Sequence, residues 1–88
     1  MVQGDRDLHD CVRRYIVENF LFGDASALQS DHQSLLDSGI IDSLGVMELA
    51  AFLEQEHGLQ IADEEYVPEN LDSVDNLVAF IKRKLQAA

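Results

Sequence analysis

Eighty-eight residues, 47% of them apolar, suffice for one hydrophobic core and no second, so a single domain over residues 1–88 is expected and disorder is not. Six basic residues against seventeen acidic ones leave a net charge of −11, which makes nucleic acid and anionic membrane poor partners and basic patches on other proteins better ones. A lone cysteine, Cys11, excludes an internal disulfide, and no apolar run approaches the length of a membrane span.

The opening Met1-Val2-Gln3-Gly4-Asp5 lacks the basic start and apolar stretch of a secretion signal, so a cytoplasmic chain is expected. From about Asp5 to Leu21, Leu8, Val12, Tyr15, Ile16 and Phe20 fall on one stripe at helical spacing, and Gly23 follows as a stop. Asp24 to Asp42 is rich in Ser, Asp and Gln and reads as a long loop with one short helical turn. Leu28, Leu35, Leu36, Ile40 and Ile41 are its apolar anchors, which argue for order. A second helix is predicted from Ser43 or Leu44 to His57, ended by Gly58, with Leu49, Ala50 and Leu53 facing the core. Leu59-Gln60-Ile61 reads as an extended link, and Asp63-Glu64-Glu65 as the start of a brief third helix before Pro68. Ser73 caps a last helix through Leu85. Its Val74, Leu77, Val78, Ile81 and Leu85 form a stripe, and Lys82, Arg83 and Lys84 suit its negative C-terminal end. The fold class is therefore all-α, a three- to four-helix bundle with a long loop between the first two helices.

The segment that carries chemistry is Asp37-Ser38-Gly39-Ile40-Ile41-Asp42-Ser43-Leu44-Gly45-Val46-Met47-Glu48-Leu49. It places Asp-Ser where a loop turns into a helix. A serine hydroxyl there is exposed, and the unpaired first-turn N–H groups and the helix dipole favour an anionic phosphodiester built on it. Gly45 leaves open ground beside Ser43 for another molecule. Serine before a helix is equally a plain N-cap with Asp42 assisting the dipole, and position 46 holds no Glu or Gln to complete a capping box. The tripeptide alone does not choose between these readings.

Gly39-Ile-Ile-Asp-Ser-Leu followed by an amphipathic helix resembles the attachment motif of the acyl carrier protein family, and the likeness in element order runs from about residue 8 to residue 85. The resemblance implies 4'-phosphopantetheine, transferred from coenzyme A to Ser43 by a phosphopantetheinyl transferase, with Asp42 and Leu44 framing the site. It also implies a docking face formed by Leu44, Val46, Met47 and Glu48, and no catalysis by the chain itself. In fatty-acid-synthase carriers an acidic residue usually follows Asp-Ser-Leu, where this chain has Gly45. The wording is more like that of standalone carriers loaded by an adenylating ligase, D-alanyl and other aminoacyl carriers among them, which pass cargo to a downstream enzyme. A monomer suits such serial docking. If a short cargo folds back between the second helix and the third, it lies against Leu53, Ile61, Leu71 and Val78. The rival reading is an acidic helical interaction module without covalent modification.

The remaining residues read as structural. Glu54 and Glu56 belong to a solvated helix face. His9, His32 and His57 do not cluster in sequence and show no metal-ligand spacing, so no metal site is expected. His57 stands where many members of the family place an aromatic core residue; partly buried, it would make the domain acid-sensitive. Cys11 lies one position from the apolar stripe and reads as a packed or half-exposed thiol.

Overall fold

In the computed structural model, which describes residues 5–87, Leu8, Val12 and Ile16 are buried along the inner side of α1 (Asp5–Phe20). The helix closes as predicted. Phe22 and Gly23 take positive φ of 53° and 86°, and the N–H groups of Leu21 and Gly23 both donate to the Val17 carbonyl at 3.3 and 2.9 Å. Phe22, a bulky residue in a region glycine prefers, is left 96% exposed at this corner.

The long loop holds one 3-10 turn, Ala25–Ala27, capped by Asp24. Leu28, Leu35 and Ile41 are buried, and Leu36 and Ile40 pack half-buried against them. Apolar anchors alone would leave the backbone polar groups unanswered, and Asp72 answers several. Its carbonyl accepts from the Leu35 N–H at 2.7 Å, one carboxylate oxygen accepts from the Leu36 N–H at 2.8 Å, and the other accepts from the Ser34 hydroxyl.

α2 (Ser43–His57) ends at Gly58 in the left-handed region, with φ of 67°. Its Leu49, Ala50 and Leu53 are buried, and Phe52 stacks on Tyr15 of α1 with ring centroids 3.8 Å apart. Leu59 and Ile61 of the link are buried. Glu54, expected on a solvated face, instead accepts from the Ile61 N–H at 3.0 Å and fixes the link to α2. The Asp63–Glu65 turn follows, and Glu65 accepts from the Ala62 N–H and from Lys84 Nζ, each at 2.9 Å. The Lys84 and backbone partners hold the Glu65 carboxyl below its ordinary value, the backbone bond contributing most.

A short α3 (Pro68–Leu71) comes next, where Pro68 was expected only to end a helix. Proline has no N–H to lose in a first turn, so here it starts one. α4 (Val74–Ala87) begins under the predicted cap, Ser73 Oγ accepting from the Asn76 N–H at 3.0 Å. Val74, Leu77, Val78 and Ile81 are buried, but Leu85 is 44% exposed and Phe80, outside the predicted stripe, is 1% exposed. Phe80 widens the apolar face, with the Arg83 and Lys84 cations 5.8 and 6.0 Å from its ring. α4 packs on both α1 and α3. No helix is long and apolar enough to cross a membrane among the described residues.

Candidate functional site

The loop meets α2 at Asp42, and that residue is the N-cap. Asp42 has extended backbone (φ −118°, ψ −169°), and its Oδ1 accepts from the Gly45 N–H at 2.8 Å while its carbonyl accepts from the Val46 N–H at 2.9 Å. Ser43 is thus the first residue of the helix and not its cap, which corrects the reading of serine as cap and aspartate as helper. Its hydroxyl is exposed. The N–H groups of Ser43 and Leu44, at the first two helical positions, have no intrahelical acceptor and stand at the positive end of the dipole.

Gly45 does not open ground for a visitor. It is buried, and a Cβ built on it would lie 3.0 Å from Ile41 Cβ and 3.2 Å from Phe20 Cε1. The glycine lets the first turn of α2 press against the end of the loop and the end of α1. That contact sets where Ser43 stands relative to the core.

Ser43 lies on the wall of a groove of about 310 Å³ between α2 and the α3 region. Leu36, Val46, Met47, Tyr66, Val67 and Leu71 supply its apolar lining, and Asp72 lies at its edge. Of the residues predicted to receive cargo, only Leu71 faces this groove. Leu53 and Val78, on the inner stripes of α2 and α4, and Ile61, in the link, are consumed by the core. The residues that sequence reasoning missed, Tyr66 and Val67, lie between the Asp63–Glu65 turn and α3, where the sequence placed the brief third helix, and no periodic signal marks them.

The predicted docking residues come together around Ser43. Leu44 and Met47 are 67% and 56% exposed, Val46 is half-buried in the groove, and Glu48 is exposed on the adjoining turn. Leu44 and Met47 are thus large apolar side chains left in water beside Ser43. The neighbouring acidic residues Asp37, Asp42 and Glu48 give that surface a negative sign.

Two other groups lie elsewhere. His57 is half-buried edge-on to Phe52, with ring centroids 6.4 Å apart, and its Nε2 is buried with no hydrogen-bond partner among the described residues. Burial pushes the imidazole below its ordinary value, with Glu56 pulling the other way. The Cys11 thiol is pushed up, first by burial and then by Glu56, which makes it a poor nucleophile.

With this geometry in hand, the chain can be set beside known proteins. Residues 21–81 match the family described as "Phosphopantetheine attachment site". The chain is 33% identical over 69 residues to the probable acyl carrier protein PigG of a Serratia species, covering 78% of each chain. It is 32% identical over 54 residues to the D-alanyl carrier protein of Abiotrophia defectiva, covering 61% of this chain and 68% of that one. The matched family implies a covalently attached 4'-phosphopantetheine. The residues present fit such a group: an exposed serine hydroxyl at a helix N-terminus, beside an apolar groove.

Proposed function

The chain belongs to the acyl carrier protein family, and from that premise we propose that Ser43 is the residue that bears the prosthetic group and that an adenylating ligase supplies the cargo. The observation that carries the assignment is the division of labour at the start of α2. Asp42 closes the first turn, so Ser43 is not needed as a cap and stays exposed on the wall of the groove. When attached, phosphopantetheine supplies a terminal thiol that holds an acyl or aminoacyl group as a thioester.

The chain's own residues bind, orient and present. The N–H groups of Ser43 and Leu44 face the position of a phosphodiester on Ser43 Oγ, where the dipole favours negative charge. Leu44, Val46, Met47 and Glu48 form the face that meets the transferase, the ligase and the enzyme that accepts the cargo. Contact through a few exposed apolar side chains, steered by an acidic surface, gives fast association and ready release. Met47 suits a face that must fit several partners. The chain supplies no catalysis of its own and works as a cytoplasmic monomer. The relative named as a D-alanyl carrier and the Gly45 that follows Asp-Ser-Leu support aminoacyl or short acyl cargo over a fatty-acid-synthase role.

The test is intact-protein mass after incubation with coenzyme A and a broad-specificity phosphopantetheinyl transferase. Wild type gains one phosphopantetheine unit and Ser43→Ala gains none. A folded wild-type chain that gains nothing would instead be an unmodified interaction module.

A further inference from the structure

We propose that His9, Asp31, His32 and Asp75 form a binding site for a transition-metal dication of the zinc type, which staples the long loop and α1 to the start of α4. These residues are scattered in sequence, so no ligand spacing announces them, and the fold brings them together from three segments. One ligand atom each from His9, Asp31 and Asp75 lie within 4.8 Å of one another. His9 Nε2 is 2.9 Å from Asp75 Oδ1, and His32 Nδ1 contacts the other oxygen, Oδ2, of the same carboxylate. One imidazole and two carboxylates therefore converge, and the exposed His32 imidazole is held against Asp75 at their edge as a second nitrogen donor.

The frame around them is fixed without an ion. The Asp75 N–H donates to the Asp31 carbonyl at 3.0 Å, which ties the loop to the first turn of α4. Arg13 contacts Asp31 Oδ1 and donates to the Leu28 carbonyl at 3.2 Å, which holds the carboxylate in place. Orientation of a ligand by a partner behind it is what metal sites require. The His9, Asp31 and Asp75 side chains are 26%, 33% and 32% exposed, so an ion can enter but would be partly shielded once bound.

The chemistry of the donors selects the ion. Zinc bonds nitrogen and carboxylate oxygen at about 2.0–2.2 Å in a tetrahedron, which sets donor atoms roughly 3.3–3.6 Å apart. The His9–Asp75 pair stands at 2.9 Å and the three donors within 4.8 Å, a spacing that brackets that value. Calcium takes six to eight oxygens and magnesium an octahedron rich in water, and two imidazoles suit neither. On binding, each imidazole gives up to solvent any proton held by the nitrogen that faces the ion.

The experiment titrates Zn²⁺ and, separately, Mg²⁺ into the Ser43→Ala chain, which cannot acquire the arm's thiol. It is therefore independent of the carrier assignment. Calorimetry is expected to show one Zn²⁺ per chain, and Zn²⁺ at about a hundredfold excess over Kd to raise Tm by about 10–20 °C. Equal Mg²⁺ is expected to do neither. Co²⁺ gives visible d–d bands of tetrahedral intensity. His32→Ala, at an 87% exposed side chain that the core does not need, weakens Zn²⁺ binding by about tenfold or more, as does His9→Gln. Cys11→Ser leaves it unchanged. Absence of Zn²⁺ binding, an equal response to Mg²⁺, or wild-type affinity in His32→Ala overturns the proposal.

Discussion

The assignment of Ser43 as a functional hydroxyl stands on Asp42 being the cap, and that division can be measured without any partner enzyme. Asp42→Ala removes the bond from Oδ1 to the Gly45 N–H, 2.8 Å long, and leaves that donor unanswered on a buried residue. Loss of an N-cap costs about 1 kcal/mol, within a range of roughly 0.5–2. For a chain this small that lowers Tm by about 4–8 °C, and with a urea slope near 1 kcal/mol/M it moves the midpoint down by about 1 M. Asp42→Asn keeps the acceptor and loses only the charge–dipole part, a few tenths of a kcal/mol at an exposed site. Ser43→Ala removes no cap and stays within about 0.5 kcal/mol of wild type. Urea melts followed by circular dichroism on the four proteins decide it. If Ser43→Ala falls as far as Asp42→Ala, or Asp42→Ala matches wild type, the serine is the cap and the argument for its freedom fails.

Three further outcomes follow from the same structure. Gly45→Ala lowers Tm by a few degrees: the helix gains up to about 1 kcal/mol in propensity, but the new methyl meets Ile41 Cβ at 3.0 Å, an atom fixed to the backbone, and overpacking costs about 1–3 kcal/mol; a rise in Tm would show that the contact yields. His57 has a folded-state pKa below its unfolded value of about 6.5, so the unfolded chain takes the proton first and wild type loses stability as pH falls through that value, reaching a plateau below the folded pKa. His57→Leu lacks this loss, and Tm plotted from pH 7.5 to 5.5 should fall less steeply for it, the other two histidines being common to both; parallel slopes would count against it. Asp72→Ala removes two carboxylate bonds that hold the loop, at a cost of about 2 kcal/mol, and hydrogen exchange should rise at the Leu36 amide before it rises in α2; uniform exchange would mean that the loop is held without the carboxylate.

What could be read along the chain was what repeats at short range. Leu8, Val12 and Ile16, and Val74, Leu77, Val78 and Ile81, announced their helices because burial follows the helical period. Gly23, Gly58 and Ser73 announced ends and a start through their own backbone or hydroxyl chemistry. What could not be read was whatever depends on a partner far away in sequence. Asp72 looked like one acid among many until the fold placed Ser34, Leu35 and Leu36 against it. Four-residue α3 is too short to show a period, and with it went Tyr66 and Val67 of the groove. Gly45 was correctly singled out for its missing side chain and given the wrong reason, since Phe20 and Ile41 lie across from it only in three dimensions.

The same distinction governs the site. Asp-Ser-Leu is legible as a motif, yet which of its two polar residues serves the fold is a matter of φ, ψ and a single hydrogen bond. A serine that capped α2 would have to surrender a stabilising contact once its hydroxyl was modified. With aspartate as cap, the helix start is complete before and after modification. The glycine then holds that start against Phe20 and Ile41, so the hydroxyl stands at a fixed point while Leu44 and Met47 remain exposed beside it. Stability and presentation are carried by different residues within one helical turn, which is why mutations can separate them.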